Sequence, residues 1–173
     1  RPDIGIFMDE WKALYNSKSG ERGLFNRASA KIQVERTGRR DVDHEFGTNP
    51  CSEIILRDRE FCNLSEVVIR ESDDLETLKN KVRIATILGT FQSTLTNFRY
   101  LSKKWKENCE EERLLGVSLT GIMDNNLTNG KADEAWRDDS LRGYANTKMV
   151  LETLKNGAIE TKKEWAETIG VPQ

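Results

Sequence analysis

Glu53-Ile54-Ile55-Leu56-Arg57 and Leu64-Ser65-Glu66-Val67-Val68-Ile69 are short runs rich in β-branched residues, separated by the charged Arg57-Asp58-Arg59-Glu60, and they read as two strands. Ser72-Asp73-Asp74 comes next and makes a good helix start, with carboxylates placed where a first turn exposes its N–H groups. Beyond it Leu75, Leu78, Val82, Ala85, Leu88, Phe91 and Leu95 recur at steps of three and four, which predicts a helix over 74–97. Short strands interleaved with helices point to an α/β arrangement.

The flanks extend the same alternation. A Lys/Glu-rich helix is expected over 102–112, and Leu114-Leu115-Gly116-Val117-Ser118-Leu119 reads as a buried strand entering a turn at Thr120-Gly121. After a polar loop at 124–139, Leu141, Tyr144, Leu151, Leu154 and Ala158 mark a further helix, with a break expected near Gly157 and Trp165 in its continuation. Upstream, Ile4, Phe7, Met8, Trp11, Leu14 and Tyr15 outline an amphipathic helix, closed by the turn-forming segment 16–23 with Gly20 and Gly23. A second helix is expected within 24–34. Residues 37–48, polar and punctuated by Gly38 and Gly47, read as a loop.

Composition narrows the function classes. The 173 residues carry 27 Lys+Arg against 29 Asp+Glu, a net charge of −2 with the signs interspersed, which argues against a dedicated nucleic-acid binder with its basic stripe. Apolar residues make up 36% and charged ones 32%, so the core is thin for the length. No apolar run approaches the roughly 18 residues of a membrane span. Arg1-Pro2-Asp3 has neither a start methionine nor a signal-peptide core and reads as an interior cut. Three cysteines, Cys51, Cys62 and Cys109, do not make a disulfide scaffold, so a reducing, cytoplasmic setting is expected.

Chemistry concentrates at Gly47-Thr48-Asn49-Pro50-Cys51-Ser52-Glu53-Ile54, followed by Phe61-Cys62-Asn63-Leu64-Ser65-Glu66-Val67. Pro50 fixes its own φ and biases Asn49 toward extended backbone, making a stiff, exposed turn with Cys51 at or near its tip. Asn49 and Glu53 flank the sulfur at −2 and +2, positions that share a face with it in an extended chain, so a thiol, an amide and a carboxylate are expected to converge. A hairpin-like return is expected to bring Cys62 opposite Cys51.

These two runs, with Ser19-Gly20-Glu21-Arg22-Gly23-Leu24-Phe25-Asn26-Arg27 and Leu115-Gly116-Val117-Ser118-Leu119-Thr120-Gly121, resemble the finger-loop region of ribonucleotide reductases, above all the adenosylcobalamin-dependent (class II) ribonucleoside-triphosphate reductases. The likeness covers about residues 11–125, is specific around 47–67 and weak beyond 125. It implies a partial ten-stranded α/β barrel, with residues 1–173 as a central part of the catalytic barrel and Cys51 on an internal finger loop. It implies the reaction too, replacement of the ribonucleotide 2′-hydroxyl by hydrogen for DNA synthesis. Cys51 matches the cysteine that becomes a transient thiyl radical and takes the ribose 3′-hydrogen. Glu53 matches the carboxylate that takes the 3′-hydroxyl proton, Asn49 the amide that holds the ribose hydroxyls, and Cys62 one of the two thiols that become a disulfide. Adenosylcobalamin is the implied radical source, and the gap from Cys51 to Cys62 is the feature that fits class II. The implied partners are a ribonucleoside triphosphate and a thioredoxin-type reductant, with no direct nucleic acid and no membrane.

The family pattern also includes elements not found here. The upstream partner of Cys62, the C-terminal thiols, the substrate-phosphate loop and the N-terminal allosteric region are expected outside this chain, so the isolated piece is expected not to turn over. Two other readings stand beside the first: a class I ribonucleoside-diphosphate reductase large subunit served by a separate metal-radical subunit, and a non-catalytic nucleotide-binding module derived from the barrel. Cys109, in a Glu/Lys-rich helix, matches nothing in the pattern and reads as structural or exposed. His44 reads as a loop residue. No cysteine or histidine pair has the short spacing of a zinc site, so no metal is expected. Ser19-Gly20-Glu21-Arg22-Gly23 lacks the Walker spacing and reads as a solvated turn. Trp11, Trp105, Trp136 and Trp165 are too scattered for a stacking platform.

Overall fold

The computed structural model describes residues 2–20, 23–131 and 140–172. Glu21 and Arg22 of the 19–23 turn, Trp136 and most of the later part of the 124–139 loop lie outside the described residues, as do the side chains of Leu141 and Tyr144. The chain is α/β and divides into two compact units, Arg1–Asp58 and Arg59–Gln173.

In the first unit, α1 (Ile4–Ser17) starts at Asp3, whose carboxylate accepts from the backbone N–H of Gly5 at 2.9 Å. The predicted amphipathic helix forms, yet none of its residues is buried. Helix α2 (Arg27–Thr37) is capped by the Asn26 side chain, which accepts from Ser29 N, and ends on Gly38 in the left-handed region at φ 62°. Its buried Ala30 and Val34, with Phe46, supply the small core of this unit. Phe46 opens β1 (Phe46–Thr48), which pairs antiparallel with β2 (Ile55–Arg57) in the register Phe46↔Arg57, Gly47↔Leu56 and Thr48↔Ile55. The expected loop over 37–48 therefore ends in a strand that periodicity does not mark, because three residues carry too little pattern.

The second unit is built on a parallel pair, β3 (Asn63–Val68) with β4 (Leu115–Thr120), in register from Asn63↔Leu115 to Val68↔Thr120. Parallel strands need a long crossover, and α3 (Leu75–Gln92) with α4 (Lys103–Glu112) provides it. The Asp74 side chain caps α3 by accepting from Thr77 N at 2.7 Å. Helix α3 stops at Gln92, short of the expected 97: the hydroxyls of Ser93 and Thr94 donate to the carbonyls of Thr90 and Phe91, and Leu95 is 71% exposed, so nothing apolar holds another turn. Helix α5 (Ser140–Ile169) passes through Gly157 without the expected break. Burial of Leu154 and packing of Ala158 on either side outweigh the roughly 1 kcal/mol a helical glycine costs. The core joins Val67 and Ile69 to Leu78, Val82 and Ala85 of α3 and Val150 and Leu154 of α5.

Buried Asn125 ties the turn after β3 in place, donating from Nδ2 to the carbonyls of Arg70 and Asp73 at 2.8 Å each while its Oδ1 accepts from Leu127 N. Two expectations change. The strands around 53–57 and 64–69 do not pair with one another; each finds its partner inside its own unit. The ten-stranded barrel is not closed among the described residues, which form two separate two-stranded sheets. Among the described residues no helix is long and apolar enough to cross a membrane.

Candidate functional site

The run Asn49-Pro50-Cys51-Ser52-Glu53-Ile54 is the loop joining β1 to β2. Ser52 N donates to Asn49 O at 3.0 Å, which closes a β-turn with Pro50 at its second position, where a fixed φ is preorganised. Cys51 occupies the third position of that turn and is exposed, and Ser52 then takes φ 64° to bring the chain back. The exposed turn expected around Cys51 is what forms.

The amide and the carboxylate meet directly. Asn49 Nδ2 donates to Glu53 Oε1 at 2.5 Å, and Asn49 Oδ1 accepts from Ile54 N at 3.2 Å and from the Thr48 hydroxyl at 3.3 Å. A turn, rather than the extended chain read from −2/+2 spacing, brings the two side chains together, and Cys51 lies between them in the loop. One side chain outside the motif holds the loop's stem: Arg40 Nη1 donates to Ile55 O at 2.8 Å while its guanidinium lies 4.9 Å from the centre of the Phe46 ring. A single residue thereby touches both strands that carry the loop. Arg40 stands fifteen residues from Ile55, and no local pattern signals such a contact.

Cys62 belongs to the second unit, at the entrance to β3, and is half-buried. Its thiol lies 3.7 Å from the Asn63 carbonyl. Gly116, opposite Leu64 in the parallel register, leaves room there: a Cβ at that position would stand 2.7 Å from Leu64 Cδ2 and 3.7 Å from Cys62 Sγ. Cys109 is buried, so of the two readings left to it the structural one holds, and its sulfur accepts a hydrogen bond from Phe61 N at 3.3 Å. His44 is a loop residue with Nε2 3.8 Å from Asp41. The Lys/Glu face of α4 carries the spaced pairs Lys103–Glu107 at 3.2 Å and Lys106–Glu110 at 3.8 Å, as its composition implies. Among the described residues no three His, Cys, Asp or Glu side chains gather as a metal site.

Comparison with known proteins adds to this geometry. The family profile described as "Ribonucleotide reductase, barrel domain" matches residues 39–173. The chain is similar to an adenosylcobalamin-dependent ribonucleoside-triphosphate reductase of Lacticaseibacillus paracasei, 33% identical over 117 residues that make up 65% of this chain and 15% of that protein. It is similar also to a protein of the same description from Lactobacillus acidophilus, 28% identical over 142 residues, 75% of this chain and 19% of that protein. The chain thus spans less than a fifth of the length of these relatives. No solved structure matches it.

Proposed function

The chain belongs to the ribonucleotide reductase barrel-domain family, and from that membership we propose that it is a central part of a catalytic barrel that reduces ribonucleoside triphosphates to 2′-deoxyribonucleotides. The observation that carries this reading is the loop at 49–54, which presents Cys51 at an exposed tip between an amide and a carboxylate already bonded to each other. In the proposed barrel this loop is the internal finger, and the β3–β4 pair is part of the wall.

Each residue has a distinct task in the proposed reaction. Cys51, as a thiyl radical, takes the ribose 3′-hydrogen and becomes a thiol; at the end it returns that hydrogen and regains the radical. Glu53 accepts the 3′-hydroxyl proton, for which a carboxylate at the tip needs only hydrogen-bond reach. The Asn49 amide holds the ribose hydroxyls and, through its bond to Glu53, aims the carboxylate. The 2′-hydroxyl leaves as water with a proton from the thiol pair, whose second hydrogen goes to C2′, and Glu53 returns its proton to the 3′-oxygen. Two electrons come from Cys62 and a second thiol contributed from outside residues 1–173, which end as a disulfide; a thioredoxin-type dithiol re-reduces it. Such a cycle belongs in a reducing, cytoplasmic compartment.

Adenosylcobalamin, named in both relatives' descriptions, is the proposed cofactor and would supply the radical when bound. Two grooves among the described residues, of about 300 Å³ along α3, β4 and α5 and about 450 Å³ beside residues 94–106, are small against a corrinoid, and His44 faces Asp41. In the proposed intact protein the cofactor's cradle lies mainly in other parts of the chain.

The test uses the intact protein. Cys51→Ala is expected to abolish deoxynucleotide formation, and survival of that activity would show the radical assignment to Cys51 to be wrong. Cys62→Ser, which removes one of the two reducing thiols, is expected to block repeated turnover while leaving radical formation at Cys51 possible. Activity that needs an iron or manganese subunit and no cobalamin would transfer the chain to the class I reading.

A further inference from the structure

Phe61 and Asn63, the two neighbours of Cys62, are each fastened through both backbone and side chain. Asn63 donates both its backbone N–H, at 3.1 Å, and its side-chain Nδ2, at 3.0 Å, to the Leu114 carbonyl at the start of β4. Phe61 is held by α4. Its ring stacks on Trp105 with centroids 4.5 Å apart and an interplanar angle of 28°, and meets Phe98 edge-on at 5.3 Å. Its backbone N–H donates to Cys109 Sγ. Trp105 and Cys109 are four residues apart on α4, so they share a face, and that one face grips the ring and the amide of the same residue. Asn108 adds a contact from Nδ2 to the Arg59 carbonyl at 3.4 Å.

We propose that Cys109 is a positioning residue for Cys62: with Trp105 it anchors the backbone immediately before the redox thiol, so that only the Cys62 sulfur moves during exchange. This rests on the reading of Cys62 as a redox cysteine and extends it to the third cysteine, which the family pattern leaves without a role. A thiol suits the task. Its sulfur accepts from the Phe61 amide at 3.3 Å, and as a small apolar group it packs in a buried place. The site also keeps Cys109 out of the chemistry. Burial pushes its thiol up in pKa, and the nearby Glu60 and Glu110 carboxylates add to the shift, while the Phe61 amide offsets it in part. A buried thiol that stays protonated is a poor nucleophile for disulfide exchange. Gly116 lets Leu64, which follows Asn63 on β3, pack against β4, since a Cβ there would stand 2.7 Å from Leu64 Cδ2.

The inference is tested in the intact protein by hydrogen exchange at the Phe61 amide and by iodoacetamide labelling of each cysteine, mapped by mass spectrometry. Wild type is expected to label at Cys51 and Cys62 and not at Cys109. Cys109→Ala is expected to raise Phe61 exchange and Cys62 labelling about fivefold, the scale of one lost hydrogen bond, with Cys51 unchanged. Cys109→Ser, which keeps an acceptor, is expected to return both readings most of the way to wild type. Unchanged Phe61 and Cys62 readings in Cys109→Ala overturn the proposal, as does an equal rise at Cys51 or no rescue by serine. If Cys109→Ala does not fold, Trp105→Ala decides by the same two readings, a rise supporting the proposal and its absence overturning it. The redox reading fails separately: repeated turnover by Cys62→Ser removes that role from Cys62 and leaves the anchoring result as it is.

Discussion

Ser52 holds φ 64°, a conformation that costs an L-residue with a Cβ about 1–2 kcal/mol, directly after Cys51. It persists because the loop closes around it, with Asn49 accepting at its backbone oxygen from Ser52 N and at its side chain from Ile54 N. Ser52→Gly is expected to be neutral or to stabilise the first unit by under about 1 kcal/mol, since relief of strain offsets the extra freedom of the unfolded chain. Ser52→Val, β-branched and poorly suited to positive φ, is expected to destabilise by about 1–2 kcal/mol. Urea unfolding of the two variants measures this, and a valine variant as stable as wild type would show that the strain is absent. At this scale the candidate site is legible in the sequence: Pro50 announces the turn and therefore the exposure of Cys51. That Asn49 and Glu53 meet is legible in their spacing, but the route is not: it depends on the return of the chain through Ser52, where nothing but the dihedral angle marks the reversal.

Among the elements, the start of α3 and the end of β4 carry the sharpest expectations. Lys81 Nζ lies 2.5 Å from Asp73 Oδ2, which also accepts from Arg70 N, and these two bonds hold the Asp73 carboxyl below its ordinary 3.8. Asp74 is lowered as well by its bonds to Thr77. A carboxylate with a depressed folded-state pKa adds stability that is fully present above the unfolded value and lost as pH falls toward the folded one. The second unit is therefore expected to lose stability as pH drops through 3.8, and Asp73→Asn is expected to flatten that loss while lowering stability at neutral pH. Thermal melts from pH 7 down to about pH 3 test it, and an unchanged slope in the variant would count against the Lys81 pair. At the far end of β4, Gly121 has φ 74°, and a Cβ there would stand 2.3 Å from the Ile69 backbone oxygen, an atom of the buried strand end that cannot swing aside. Gly121→Ala is expected to cost about 3 kcal/mol by urea titration, through strain and overpacking together. Both features lie on motifs readable in advance, the Ser-Asp-Asp start and the Thr-Gly turn. The partner Lys81 and the nearby carbonyl come only from packing.

For the molecule as a whole, the balance of apolar and paired surface sets behaviour. Each described sheet has two strands, so both outer edges of each lack a strand partner among the described residues, and a two-stranded sheet is marginal alone. Apolar side chains stay in solvent around them: Ile4, Met8 and Tyr15 on α1 and Ile84 and Leu88 on α3 are all more than half exposed. Residues 1–173 expressed alone are expected to self-associate with rising concentration, as light scattering would record, and a monomer with one cooperative melt would refute this. The sequence by itself determined the α/β class, five helices, the strands at 53–57, 64–69 and 114–119 to within a residue or two, and the cysteine-bearing turn. These follow from periods, caps and turn residues, which act over a few neighbours. Only the tertiary structure decided that the strand at 53–57 pairs backward with Phe46–Thr48 while Asn63–Val68 pairs in parallel with Leu115–Thr120. It alone set Arg40 against the loop stem and Cys109 against Phe61. Pairing and anchoring depend on which apolar faces are buried together, and partners that lie from a short loop to a whole crossover apart leave no trace of that in local pattern.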